Sequence, residues 1–169
     1  FQPTVKIIPP YHDHPTYIKL LSDSVKKHFK KLSWQADKLL ISFHGIPKQY
    51  FDNGDPYYCY CHKTARLLRE KLKMTEDNCL MTFQSRFGPK EWLKPYSEAT
   101  AIEMAKSGIK NIAIIAPGFP ADCIETLEEI AMELKEIFIE NGGQNFTYIP
   151  ALNDTDTHIE FLKKLVEGS

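Results

Sequence analysis

The sequence predicts an α/β domain of the three-layer, Rossmann-like kind, on a mainly parallel sheet of four to five strands. Three observations predict it. Apolar runs of strand length alternate with amphipathic helical stretches from end to end. The strand candidates are β-branched or aromatic runs without the polar–apolar alternation of a half-exposed sheet, as expected of strands buried on both faces. A chain of 169 residues, 43% hydrophobic and 25% charged, is long and apolar enough for one domain with a real core.

The first strand candidate, Val5–Ile8, reads as entered from upstream. The chain begins at Phe1, with no initiator Met and none of the charged and apolar regions of a signal peptide, and with that strand-like opening it reads as a piece of something longer. A helix is expected over 15–31, with Pro15 in its first turn, then a strand over Lys38–Phe43 and a helix over 56–73 opened by Pro56. The strand Cys79–Gln84 and a helix over 97–107 follow, then the strand Asn111–Ala116 and a helix over 123–141 with Asp122 before it. The strand Asn145–Ile149 and a helix over 155–167, started by Asp154 or Thr155, complete the order. Strictly alternating strands and helices require crossovers that place helices on both faces of a parallel sheet. Linkers are short except Gly45–Asp55 and Ser85–Pro95, and loops of that length in a tight α/β chain tend to carry function.

Twenty-one Lys and Arg against 22 Asp and Glu leave a net charge of −1, so no global field draws in nucleic acid, and none is expected as a partner. The longest apolar runs fall far short of the roughly 20 residues that cross a bilayer; peripheral membrane contact stays open. Cys59, Cys61, Cys79 and Cys123 make a poor disulfide framework, which points to a reducing, cytoplasmic setting.

In an open parallel sheet, ligands bind outside the carboxyl ends of the strands. Three segments reach that edge: His44-Gly45-Ile46-Pro47, Gln84-Ser85-Arg86-Phe87-Gly88, and Pro117 through Glu125. Parallel strands would therefore gather His44, Gln84, Ser85, Asp122 and Glu125. His44 can take a proton near neutral pH or ligate a metal; it can equally tie down its own loop. Glu125 also has a bland reading, since Asp122-x-x-Glu125 before an apolar run resembles a capping box. In the helix that follows, Ile124, Leu127, Ile130, Ala131, Leu134 and Ile137 form the apolar face. Glu125, Glu129 and Glu133 recur every four residues opposite it, as a solvated stripe or a row of hard oxygen ligands.

Aromatic residues crowd the loops: Tyr50, Phe51, Tyr57, Tyr58, Phe87, Trp92, Tyr96 and Phe119. They suit a flat apolar ligand or a protein partner, or they cover the sheet ends. Cys59-x-Cys61-His62 lacks the second ligand pair of a structural metal site, and its one-residue spacing within a helix aims the two sulfurs apart. No phosphate-cradling glycine loop occurs, which argues against a nucleotide enzyme.

Four segments resemble the carboxyl-terminal half of ferrochelatase. They are Ser42-Phe43-His44-Gly45-Ile46-Pro47; Gly54-Asp55-Pro56-Tyr57; Phe83-Gln84-Ser85-Arg86-Phe87-Gly88 with Glu91-Trp92-Leu93-Lys94-Pro95; and Pro117-Gly118-Phe119-Pro120-Ala121-Asp122-Cys123-Ile124-Glu125-Thr126-Leu127-Glu128-Glu129. The resemblance implies a chelatase-type domain that inserts Fe2+ into protoporphyrin IX in heme biosynthesis. It implies that His44 is the active-site histidine and Glu125 the facing glutamate. Glu129 and Glu133 would continue an acidic ridge for metal or protons, so that His44, Glu125, Glu129 and Glu133 handle the ion. Trp92 and Phe119 would lie near the porphyrin, with Gln84, Ser85, Pro47 and Asp122 as further substrate contacts.

Fe2+ is then a substrate, no cofactor is permanently bound, and no iron–sulfur cluster is expected. The family has two similar domains with the porphyrin cleft between them, and the amino-terminal one is missing, so this piece alone is expected to be inactive. Both roles open to His44 use the neutral ring, so activity is expected to fall in acid. Two alternatives stay open: a non-catalytic carrier of porphyrin or divalent metal, and a chelatase for another metal and tetrapyrrole.

Overall fold

A computed structural model of the chain describes residues 2–3 and 5–168. Its elements run α1 (Pro15–Phe29), β1 (Lys38–His44), α2 (Lys48–Asp52), α3 (Tyr57–Leu72), β2 (Cys79–Gln84), α4 (Ser97–Lys106) and β3 (Asn111–Ile115). After β3 come α5 (Ile124–Leu127), a π-helical segment (Glu129–Leu134), α6 (Lys135–Glu140), β4 (Asn145–Ile149) and α7 (Asp156–Glu167). The four strands pair in the order β2-β1-β3-β4, all parallel. The three-layer α/β architecture is the one the sequence predicts.

The two faces of the sheet build two cores. Leu39, Ile41 and Phe43 of β1 join Met81, Ile115 and Ile149 against α1, α3 and α7, through Leu21, Val25, Leu68 and Phe161. Leu40, Ile112 and Ile114 face the other way onto α4, the π segment and α6, through Met104, Ile130, Leu134 and Phe138. Each central strand therefore buries both sets of its alternating side chains, which is why the apolar runs read as continuous. Among the described residues, no helix is long and apolar enough to cross a membrane.

Three expectations need correction. Among the described residues Val5–Ile8 pairs with no strand and runs as irregular chain, with Val5 and Ile7 exposed; Pro3, Pro9 and Pro10 flank it and supply no ladder N–H groups. The helix expected over 123–141 is three segments, and its first apolar positions do not reach the core: Ile124 is 66% and Leu127 51% exposed. The wider π turn between α5 and α6 breaks the register, so only Ile130, Leu134 and Phe138 share the buried line. Finally, the loop after β1 contains the single-turn α2, which has no buried residue. With no buried face it carries no periodicity to read.

Candidate active site

The chain winds from β1 toward β2 on one side and from β3 toward β4 on the other, so the loops after β1 and β3 part at a topological switch point. His44 ends β1 directly opposite Gln84, the last residue of β2. The Trp92 and Phe119 rings each lie 6.4 Å from the His44 ring, centroid to centroid. Its Nδ1 lies 2.6 Å from the Gly45 carbonyl oxygen. A carbonyl only accepts, so Nδ1 carries the proton in the neutral ring, and the lone pair sits on Nε2, free to take a proton or bind a cation.

The long loops after β1 and β2 are tied to each other. Pro47 and Trp92 form an antiparallel bridge, Leu93 N–H donates to the Ile46 carbonyl (3.0 Å), and Lys48 N–H donates to the Glu91 carbonyl (2.9 Å). Trp92 reaches His44 because residue 45 is glycine. A Cβ there would sit 2.8 Å from the Gln84 carbonyl oxygen and 3.1 Å from Trp92 Cε3.

Glu125 enters from the opposite loop. The cap of α5 is not the Asp122–Glu125 box suggested by the sequence; it lies one residue on, where Cys123 N–H donates to Thr126 Oγ1 (3.0 Å). Glu125 is thereby released from capping. A hydrogen bond from the Cys123 thiol, backbone N–H donation and the charge of His44 hold its carboxyl below the usual carboxylate range. His44 and Glu125 are thus within electrostatic reach of one another across the switch point.

The acidic row continues into the π segment. Glu129 accepts from Ser85 Oγ (2.5 Å), and Gln84 Nε2 donates to the Glu125 carbonyl (2.7 Å) and, more weakly, toward Glu129 (3.4 Å). Ser85 holds a left-handed backbone (φ +63°), a conformation that costs a non-glycine residue about 1–2 kcal/mol and is retained here with its side chain bonded to Glu129. In an α-helix a residue four positions on overshoots one turn, whereas in the wider π turn it falls short, so the π segment offsets the drift of the carboxylate row. Glu129 and Glu133 line a cleft of about 460 Å³ with Ser85, Arg86, Tyr96 and Glu98. The Arg86 guanidinium lies over the Tyr96 ring at 4.9 Å.

Asp122 is differently employed. One carboxylate oxygen accepts from Tyr148 (2.7 Å), Thr126 (3.1 Å) and the Ala151 N–H (3.2 Å), the other from Asn153 Nδ2 (2.8 Å). Burial pushes its pKa up, but these bonds outweigh that and hold the carboxyl below the usual carboxylate range. Asp122 clamps the loop after β3 to the loop after β4. A larger apolar groove of about 1090 Å³ lies beneath the site, lined by Phe43, Ile46, Tyr57, Pro117 and Pro120 among others. His44 lines neither cavity. Cys59 is exposed and Cys61 buried, as their spacing implied. Among the described residues, no group of three or more His, Cys, Asp or Glu is arranged to hold a metal ion.

The family model described as Ferrochelatase matches residues 1–169. The chain belongs to the ferrochelatase family. It is 57% identical over 166 residues to the ferrochelatase of Agrobacterium fabrum, which covers 98% of this chain and 48% of that protein. Identity is 55% over 166 residues to that of Rhizobium etli strain ATCC 51251, again 98% and 48%, and 51% over 168 residues to that of Francisella tularensis subsp. novicida, 98% and 50%. The chain spans about half the length of the curated relatives it matches. Sequence reasoning placed His44, Gln84, Ser85, Asp122 and Glu125 on one edge of the sheet, where the ends of β1 and β2 and the loops after β2 and β3 put them. It read Tyr57 only as a loop aromatic and missed Tyr17; their phenols donate to the carbonyls of His44 and Pro117 at 2.8 Å each. Both sit in helical turns facing the core and differ in no readable way from packing residues.

Proposed function

We propose that this chain is the carboxyl-terminal half of a cytoplasmic ferrochelatase that inserts Fe2+ into protoporphyrin IX. The observation that supports the reading is that His44 and Glu125 stand at the two loops that part at the switch point, near enough for the histidine's charge to favour the carboxylate, with the Trp92 and Phe119 rings each 6.4 Å from the His44 ring. Metallation joins Fe2+ to a porphyrin that loses two pyrrole N–H protons, giving heme and 2 H+. His44 Nε2 accepts a pyrrole proton, and the Glu125 carboxylate holds the incoming ion or the second proton. Glu129 and Glu133 extend the oxygen ligands from Glu125 toward the cleft beside Arg86, a path along which a hard cation exchanges water for carboxylate. Trp92 and Phe119 are the aromatic walls for the macrocycle, with Gln84, Ser85 and Pro47 at the rim. Asp122 acts on substrate indirectly, by holding its loop.

The opposing wall of the porphyrin cleft belongs to the amino-terminal half, so this chain alone is inactive in this reading. Co-expression with that half tests it. Conversion of protoporphyrin and Fe2+ to heme supports the enzyme, whereas stoichiometric porphyrin binding without turnover favours a carrier.

A further inference from the structure

The layer between β1, β2 and α4 would pack well with apolar side chains, yet it holds Ser42, Thr82, Ser97 and Gln84, none more than 7% exposed. They form one continuous network. Ser42 Oγ donates to Gln84 Oε1 (2.8 Å) and lies 2.9 Å from Ser97 Oγ, which lies 2.8 Å from Thr82 Oγ1. On its other side the Gln84 amide meets the Glu125 carbonyl and the Glu129 carboxylate. Both of those groups only accept, so the amide must turn its NH2 toward them. Its oxygen is left facing the core, where only a donor satisfies it. Ser42 is that donor.

A buried network of this kind contributes little net stability compared with an apolar layer of the same shape, and leaving any member unpaired is expensive. Its distinctive effect is to allow one orientation of Gln84. We propose that Ser42, backed by Ser97 and Thr82, is a positioning residue for the acidic row. It fixes the Gln84 amide and, through it, the backbone at Glu125, in the first turn of α5. The proposal rests on the reading of that row as the metal's approach. With Ser42 replaced by alanine, the Gln84 oxygen loses its donor, the amide is free to rotate, and the Glu125 carbonyl loses its fixed partner. The metal side of the reaction should suffer more than the porphyrin side, because the bonds that the Gln84 amide makes are to the acidic row.

The test is steady-state kinetics of the full-length enzyme with Fe2+, and in parallel Zn2+, at saturating porphyrin and the reverse. Ser42→Ala should raise the metal KM about fivefold, the effect of one lost buried hydrogen bond, with porphyrin KM within twofold, and Ser42→Thr should restore it. In a Gln84→Leu background Ser42→Ala should add less than about twofold, because the residue it acts through is gone. An unchanged metal KM in Ser42→Ala, an equal shift in porphyrin KM, or a full additional increment in the Gln84→Leu background overturns the proposal. Should Ser42→Ala fail to fold, Ser97→Ala takes its place, with a smaller rise in metal KM expected and no rise overturning the proposal. Absence of turnover in the unsubstituted enzyme has a different signature, and overturns the functional reading together with the proposal.

Discussion

The phenol of Tyr57, at the start of α3, donates to the backbone carbonyl of His44 across 2.8 Å. Tyr17 of α1 does the same for Pro117 in the facing loop. The two loops that part at the switch point are thus each held by a tyrosine from the same helical layer. Burial pushes both phenols well above their ordinary range, so they remain protonated donors at any physiological pH.

Tyr57→Phe keeps the ring and removes this bond. It should cost about 1–2 kcal/mol in urea unfolding, the penalty for a partly buried carbonyl left without its donor. A change under about 0.3 kcal/mol would show that the bond does not hold the loop.

Gly45→Ala puts a methyl group against backbone on one side and the Trp92 ring on the other. The Gln84 carbonyl cannot yield without moving β2, so Trp92 must shift away from His44. Loss of about 1–3 kcal/mol is expected, with a changed tryptophan emission spectrum; an unaltered spectrum would contradict the seating of Trp92 by this glycine.

Asp122→Ala leaves Tyr148, Thr126, Asn153 and the Ala151 N–H without their common acceptor. We expect about 2–4 kcal/mol of destabilisation and faster proteolysis in the loops after β3 and β4. An equally stable variant would mean that the carboxylate is available for substrate after all.

Acid should unfold the protein in two stages. Burial lowers the basicity of His12, His28 and His62, so in the native state these rings bind fewer protons than in the unfolded chain. Stability therefore falls as pH drops below the ordinary histidine value of about 6.5. Asp122 is shifted the other way relative to its charge: its carboxylate is favoured by folding, and its contribution, present above about pH 3.8, is lost as pH falls through its depressed native value. Urea midpoints measured from pH 8 to 3 should decline over both windows, and Asp122→Asn should flatten only the lower one. A flat profile between pH 7 and 5 would contradict the first assignment.

How much of this was legible follows from what local pattern records. Strands such as Leu39–Phe43 and Ile112–Ile115 announce themselves because both faces are buried, so nearly every position carries apolar bulk, with Ser42 the exception. The edge shared by His44 and Glu125 then follows from parallel order alone. Val5–Ile8 has the composition of a strand, but whether an apolar run of four residues flanked by prolines joins a sheet depends on partners elsewhere in the chain, which local pattern does not record. The π segment was invisible because Ile130, Leu134 and Phe138 satisfy a helical period whichever turn lies before them. The cap moved from Asp122 to Cys123 because Asp122 is claimed by Tyr148 and Asn153, partners 26 and 31 residues away. The network behind Gln84 consists of single hydroxyls in three elements, and only their packing makes them one unit.

The most direct measurement is metalloporphyrin formation by full-length enzyme carrying His44→Ala or Glu125→Gln, with folding checked by thermal melting. The account predicts that each variant melts close to the unsubstituted protein and loses at least about 100-fold in kcat, the scale of a lost proton-transfer group. A folded His44→Ala enzyme that keeps most of its turnover would contradict it.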